Sequence, residues 1–470
     1  MIKRHTISFK NAFTGVLWAL RTQPNYRIHF LFSILAFLLG WKLKISYFEF
    51  LVIIVLILIG FVIETINTAI ESVTDAIDKK WREDIKIAKD VSAAAMLIFA
   101  VGAFITAAII FIPKLLTFNF SLCKIMSLYL FSVFISFIVN ATLIIPFINS
   151  LYRLKLQRKS QQTKDAFNQP TPIFDRFNRS KIGTPVGGGI LIIATTIVIF
   201  SVFIGLSTFF GKKLIGNYPS VSNEIKILLF SFVSFGFLGL YDDLNKIFLL
   251  KKSQFFGLKL RHKLILEIVL SLVIAFWLYH DLKIGIINVP FFGVYKLSFF
   301  YIFFAAFVIL AFANAVNITD GLDGLATGIL MISLFGFWVI ARAILDIPTS
   351  LFIGSWLGGL LAFLYFNIFP ARLFLGDTGT LSFGATFAVI GLILGKTFAL
   401  PIIGGLFVAE IFTSLVQLLG RKFLKKKIFP VAPLHLWLQL RGWEEPKIVM
   451  RFWVISILCV IFGLVIAFMK

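Results

Sequence analysis

Five aspartates stand in short polar breaks of a chain that is 59% hydrophobic. Asp242 and Asp243 are adjacent in YDDLNK (241–246), Asp320 and Asp323 sit three apart in NITDGLDG (317–324), and Asp377 lies in FLGDTG (374–379). Carboxylates in such numbers can hold a hard divalent cation, and Mg²⁺ favours carboxylate oxygens combined with substrate phosphate. The glycines beside them let backbone amides approach phosphates. Lys181, Lys246, Arg261 and Lys263 add positive charge suited to a pyrophosphate. Together these residues point to phosphoryl or phosphosugar transfer with a divalent metal. Singly, each fragment is ordinary. Paired aspartates at a helix end usually complement its dipole, GDTG is usually a turn, and lysines at a membrane edge usually anchor it. Their order, and their placement on one side of a membrane, make the joint case.

A second constellation lies in ETINTAIESVTDAID (64–78), where Glu64, Asn67, Glu71 and Asp75 are spaced by 3, 4 and 4. At about 3.6 residues per turn these four share one helix face. A carboxylate stripe at the end of a membrane helix is costly unless it has work to do. AKDVSAAA (88–95) then opens the next apolar run with Lys89 and Asp90.

The elements that must position these residues are membrane helices. Mean hydropathy is +0.96, and apolar runs of about 17 to 25 residues recur along all 470 residues. Counting them gives an all-α, polytopic integral membrane protein of about thirteen transmembrane helices, three plus ten, with a first domain at 1–115 and a second at 116–470. The basic, amphipathic start, MIKRHTISFKNAF, shows no small-residue cleavage site of a signal peptide. Net charge is +23, but no basic stripe with interleaved aromatics lies outside the spans, so no nucleic-acid partner is expected. The excess Lys and Arg instead marks inner loops and an anionic leaflet. The two cysteines, Cys123 and Cys459, both sit in apolar spans and indicate neither disulfide nor metal site.

Charge also sets orientation. The loops at 153–183 and 421–429 are rich in Lys and Arg and belong inside. With the N-terminus inside and thirteen alternating spans, both requirements are met. The same parity puts DAIDKKWREDIKIAKD (75–90), YDDLNK, NITDGLDG, FLGDTG and PLHLW (433–437) inside as well. The acids thus converge on the face where soluble phosphorylated substrates are found. A transporter would more often bury its charges near the membrane middle.

The second domain resembles the polyprenyl-phosphate phosphosugar transferases, above all the phospho-N-acetylmuramoyl-pentapeptide transferases. The resemblance is carried by KIGTPVGGG (181–189), GLYDDLNK (239–246), NAVNITDGLDGLATG (314–328), FNIFPARLFLGDTGTLSFG (366–384), LPIIGGLFVAE (400–410) and APLHLWLQLRGWEEPKIVMRFWVIS (432–456). It implies transfer of a phospho-sugar, phospho-N-acetylmuramoyl-pentapeptide first among them, from a UDP-sugar to undecaprenyl phosphate, releasing UMP. By the same resemblance Asp377 ligates Mg²⁺, and Asp242, with Asp243 beside it, acts on the lipid phosphate. Asn317, Asp320 and Asp323 position nucleotide and metal, and Asn367 and Phe374 line the uridine side. Lys181, Lys246 and Lys263 balance phosphate charge, while Thr184 and His435 contact substrate. Two motifs depart from the pattern. Of three consecutive histidines only His435 remains, followed by Leu436 and Trp437, and Val186 and Gly187 replace a threonine and a methionine.

The first domain resembles the small integral-membrane diacylglycerol and undecaprenol kinases, in FKNAFTGVLWALRTQPNYRIHF (9–30), ETINTAIESVTD and AKDVSAAA. That resemblance implies Glu64 as base, Glu71 as Mg²⁺ ligand, and Asn67, Lys89 and Asp90 as contacts for ATP and the lipid headgroup. Gln23 stands where the family usually has a metal-binding glutamate. The expectation is a fused enzyme of the bacterial cytoplasmic (inner) membrane, multi-pass and homo-oligomeric, with both sites on the cytoplasmic face. One half would make undecaprenyl phosphate from undecaprenol and the other would consume it. The alternatives are a UDP-N-acetylhexosamine-1-phosphate transferase for another surface polymer, and an inactive, scaffold-like kinase domain.

Overall fold

The computed structural model describes residues 14–77, 82–117, 122–157, 169–209, 216–248 and 260–469. The basic start and parts of the loops at 75–90 and 153–183 lie outside them. The chain divides into two compact units, Met1–Lys124 and Ile125–Lys470.

In the first unit, helix α1 (residues 14–22) leads through Gln23 into α2 (Pro24–Lys42), followed by α3 (Tyr47–Ile77) and α4 (Glu83–Thr117). Pro24 opens α2, a position where a missing N–H costs nothing. A small apolar cluster of Leu43, Ile45, Ile53, Ile110 and Phe111 joins the ends of α2, α3 and α4. Most other large apolar side chains here face outward, as lipid-facing residues must.

The second unit runs α5 (Leu122–Arg153), a short α6 (Pro172–Phe177), α7 (Gly188–Phe209), α8 (Val221–Phe248) and α9 (Leu260–His280). Then come a hairpin, β1 (Ile286–Val289) with β2 (Gly293–Lys296), and α10 (Phe300–Thr319), α11 (Leu325–Ala343), α12 (Ile347–Asn367) and α13 (Gly376–Ile393). The unit closes with α14 (Ala399–Ile403), α15 (Gly405–Leu419), α16 (Leu434–Leu440) and α17 (Glu445–Phe468). Among the described residues, eleven helices are long and apolar enough to cross a membrane. The two other expected spans are α2, at 19 residues, and 398–420, which is broken into α14 and α15 at Gly404. A Cβ on Gly404 would lie 2.7 Å from the Phe312 ring, so close packing demands a glycine there. A broken helix is tolerated at membrane depth where protein surrounds it.

Helix α13 is the buried axis of this unit, packing on α7, α8 and α10. Small residues let backbones touch, the usual basis of helix association in lipid. A Cβ at Gly189 of α7 would meet Gly379 N at 2.3 Å, and one at Gly239 of α8 would meet the Asp377 carbonyl oxygen at 2.1 Å. A Cβ at Gly384 would meet the Phe312 carbonyl of α10 at 2.3 Å. These three crossings fix the position of α13, and Asp377 in its first turn with it.

Candidate active site

The C-terminal end of α8 carries Asp242, Asp243 and Lys246, the first turn of α9 carries Lys263, and the first turn of α13 carries Asp377. Lys263 Nζ donates to Asp377 Oδ2 at 2.6 Å and to Asp242 Oδ2 at 3.2 Å. Lys246 Nζ lies 2.8 Å from the same Asp377 oxygen and 3.1 Å from the same Asp242 oxygen. Two carboxylates thus share two ammonium groups across three helices. Lys246 and Asp242 are four residues apart on α8, the spacing that puts them on one face.

Asp243 is adjacent in sequence but engaged elsewhere. Its Oδ1 accepts the Asp377 N–H at 3.0 Å, and its Oδ2 accepts the Thr378 N–H at 2.9 Å and the Thr378 hydroxyl at 2.7 Å. A carboxylate from α8 therefore caps the N-terminus of α13, satisfying amides that a helix start leaves unpaired. Gly376, at φ +75°, admits this approach, since a Cβ there would lie 2.6 Å from Asp243 Oδ2.

The glycine-rich segment joins this cluster from α10. Asn317 Nδ2 donates to Thr380 Oγ1 at 2.8 Å, tying the end of α10 to the start of α13. Asn314 Nδ2 donates to the buried Glu267 carboxylate of α9 at 2.7 Å. Asp320 is half-buried at the end of α10. Asp323 is buried, with Oδ1 2.8 Å from Lys181 Nζ and Oδ2 accepting the Ala371 N–H at 2.9 Å. Lys181 also donates to the Gly321 carbonyl at 3.2 Å and to Glu445 Oε1 at 2.7 Å.

Backbone pairing seats the KIGTPVGGG loop on the FLGD segment. The Gly187 and Gly188 N–H groups donate to the Phe374 carbonyl at 3.1 and 2.8 Å, and the Phe374 N–H donates to the Pro185 carbonyl at 3.0 Å. Thr184 is half-buried in this loop. Asn367 is fully buried; it accepts from Thr327 Oγ1 at 2.9 Å and donates to the Leu373 carbonyl at 2.9 Å, so its amide shapes the chain before Phe374. His435 is buried against Glu410, its Nδ1 2.9 Å from Glu410 Oε2 and its N–H donating to Oε1 at 3.1 Å. The His435 ring rests on Gly321, where a Cβ would meet Nε2 at 2.2 Å.

One connected end of the second unit therefore holds every candidate of that half. Sequence reasoning missed Thr378, Thr380, Glu267, Glu410 and Glu445, all of them direct partners of the candidates or of their segments. Glu267 and Glu410 had a legible signal, because an acid inside an apolar span is a functional hypothesis by default.

Among the described residues no group of three or more His, Cys, Asp or Glu side chains is arranged to hold a metal. Mg²⁺ is usually held by one or two carboxylates with substrate phosphates rather than by an all-protein cage. Asp242 and Asp377, converging on the same two lysines, fit that mode.

In the first unit Glu64 and Asn67 are buried on α3, and Asn67 Nδ2 donates to Glu71 Oε1 at 3.1 Å. Lys89 Nζ of α4 lies 2.5 Å from Asp75 Oδ1, and Asp90 is exposed. Glu64 stands two turns from Glu71 on the same helix.

Comparison with known proteins gives the class first: residues 225–395 match the model of the Glycosyl transferase family 4, and residues 10–111 match that of the Prokaryotic diacylglycerol kinase. The chain is 37% identical over 327 residues to a phospho-N-acetylmuramoyl-pentapeptide-transferase of Rickettsia bellii (strain RML369-C), covering 65% of this chain and 86% of the relative. It is 36% identical over 343 residues to that of Rickettsia akari (strain Hartford), covering 69% and 90%. It is 33% identical over 343 residues to that of Clostridium novyi (strain NT), covering 72% and 96%. The chain belongs to the phospho-N-acetylmuramoyl-pentapeptide-transferase family, as a fusion with an N-terminal diacylglycerol-kinase-like segment. It is a multi-pass bacterial membrane transferase.

Proposed function

We propose that the second unit transfers a phospho-sugar, phospho-N-acetylmuramoyl-pentapeptide first among them, from a UDP-sugar to undecaprenyl phosphate at the cytoplasmic face of the inner membrane. The observation that carries this reading is the four-residue cluster of Asp242, Asp377, Lys246 and Lys263. A phosphate oxygen of the lipid attacks the sugar-bearing phosphorus of the donor. The bond from that phosphorus to the bridging oxygen breaks, and UMP leaves with it. Asp242 takes the proton of the lipid phosphate in a direct transfer, or attacks first in a two-step one.

Lys246 and Lys263 receive the phosphate charge as it develops, which preorganised cations do without reorganising. Asp377, with Asp242, would hold Mg²⁺, which supplies further neutralisation of the pyrophosphate when bound. Asp243 positions Asp377 through the start of α13. Asp320, Asp323, Asn317 and Lys181 hold the nucleotide, with Thr184, Phe374 and His435 contacting the donor and Asn367 shaping the Phe374 segment. The inner orientation rests on the two basic loops. Asp377→Asn is expected to lower UMP release about a thousandfold with membrane insertion intact; near-normal release in Mg²⁺ would refute the assignment.

A second reading, transfer of an N-acetylhexosamine-1-phosphate for another polymer, is favoured by Leu436 and Trp437, which stand where the muramoyl-pentapeptide pattern carries histidines. For residues 1–115 we propose an undecaprenol- or diacylglycerol-kinase activity using ATP and Mg²⁺. Its support is Glu64, a buried carboxylate on α3 one turn from Asn67 and two from Glu71, with Asn67 donating to Glu71. Homo-oligomerisation belongs to the same proposal.

A further inference from the structure

The C-terminal helix reaches the nucleotide side of the candidate site through one residue, Glu445. It stands in the first turn of α17, and its side chain is 9% exposed. A single oxygen, Oε1, accepts two hydrogen bonds: from Lys181 Nζ at 2.7 Å and from the Asp323 N–H at 2.6 Å. Both donors belong to segments that come from elsewhere in the chain. Lys181 opens the KIGTPVGGG loop, and Asp323 lies between α10 and α11. Asp323 in turn binds Lys181 with one oxygen and the Ala371 N–H with the other.

These bonds close a ring in which each member fixes another. The three charged side chains are 4% to 9% exposed, so the bonds form largely out of water. Charge-assisted bonds in such surroundings are worth roughly twice neutral ones. The turn they hold is glycine-rich: Gly321 and Gly324 lie on either side of Asp323, Gly324 sits at φ +77°, and the Gly324 carbonyl accepts from Trp453 Nε1 at 3.3 Å. A glycine-rich turn keeps one shape only if outside contacts impose it. Glu445 is the contact that fixes the main chain at Asp323; no other acceptor for that N–H exists among the described residues.

We propose that Glu445 is a positioning residue for the donor nucleotide, holding Lys181 and the Asp323 turn in register so that both meet the nucleotide together. This rests on the reading that Lys181 and Asp323 serve the nucleotide. It adds that affinity for the nucleotide is set from the start of α17, a helix that shares no side chain with the Asp242–Asp377 cluster. Loss of Glu445 leaves Lys181 bound to Asp323 Oδ1 and the Gly321 carbonyl, so the lysine stays buried, but the Asp323 N–H loses its acceptor and the main chain there its link to α17.

The test compares the full-length wild-type protein, Glu445→Ala, Glu445→Gln and the exposed neighbour control Glu444→Gln. Steady-state rates of UMP release are measured against UDP-sugar and against undecaprenyl phosphate, with UMP binding measured by calorimetry in detergent. Glu445→Ala should raise the KM for UDP-sugar and the Kd for UMP about tenfold, with kcat within about threefold of wild type and the KM for the lipid unchanged. Glu445→Gln, which retains an acceptor oxygen, should recover part of that loss, and Glu444→Gln should match wild type. A fall in kcat with both KM values and the UMP Kd unchanged would mean general destabilisation and would overturn the proposal, as would equal effects on both substrates. If the wild type itself neither binds UMP nor releases it, the nucleotide reading falls and the proposal with it, a result distinguishable because it precedes any substitution.

Discussion

Asp242 and Asp243 look interchangeable in sequence, yet the structure gives them different partners, and Asp243→Asn separates them. Asp243 accepts three hydrogen bonds on two oxygens, two of them on Oδ2. An asparagine keeps one acceptor oxygen. If that oxygen serves Thr378, the new NH₂ faces the Asp377 N–H, donor against donor. At least one charge-assisted bond is lost, at about 1.5–3 kcal/mol. The favourable charge at the start of α13 goes with it, adding about 0.5–1 kcal/mol. About 2–4 kcal/mol then acts against the one geometry that brings Asp377 to Lys246 and Lys263. Since about 1.4 kcal/mol is tenfold in rate, kcat for UMP release should fall about a hundredfold, with little change in either KM.

Thr378→Val removes only the hydroxyl bond and should cost about fivefold. The double variant should be well short of the product of the two effects, because both act through the same first turn. Rates would be measured in proteoliposomes at saturating UDP-sugar and undecaprenyl phosphate. A wild-type rate for Asp243→Asn, or strictly multiplicative effects, would refute the capping role.

Gly189→Ala should unfold or inactivate the protein, because its methyl group would stand 2.3 Å from Gly379 N, and backbone cannot give way cheaply; a thermal melt indistinguishable from wild type would contradict this. Burial pushes the Asp346 carboxyl above its ordinary value, with the Glu224 carboxyl close by on the same Thr349. A carboxyl raised in the folded state stabilises most below its unfolded pKa, and that stability drains away as pH rises through the folded value. The wild-type melting temperature should therefore decline with rising pH more steeply than that of Asp346→Asn, which can still cap Thr349; parallel pH curves would count against it. Given undecaprenol, ATP, Mg²⁺ and UDP-sugar but no undecaprenyl phosphate, the wild type should still form lipid-linked sugar. Glu64→Gln with Glu71→Gln should stop it until undecaprenyl phosphate is supplied. No product from undecaprenol alone would make the first unit inactive or differently specific.

The helices were legible because apolar runs and polar breaks alternate so sharply, and the aspartates stood out because an acid at a membrane edge is costly without a reason. The division of labour between Asp242 and Asp243 was not legible. Neighbours on a helix point about 100° apart, so only the placement of α13 decides which faces the lysines and which the helix start. The break at Gly404 was hidden because residues 398–420 remain apolar across it, and the neighbour that keeps this position small is the Phe312 ring of α10. The hairpin of β1 and β2 is too short for alternation to announce it. Glu445 did not stand out in its segment, since nothing local records that Lys181 lies 2.7 Å away.

The identity of the nucleotide product tests phosphosugar transfer most directly. Purified full-length protein, undecaprenyl phosphate, Mg²⁺ and UDP-N-acetylmuramoyl-pentapeptide would be incubated, and the released nucleotide identified by chromatography alongside the lipid product. Attack on the sugar-bearing phosphorus requires UMP in equal amount to a lipid carrying a pyrophosphate-linked sugar, lost in Asp377→Asn. Release of UDP instead, with a single phosphate between lipid and sugar, would mean that the sugar carbon is attacked and would contradict the chemistry assigned to Asp242, Asp377, Lys246 and Lys263.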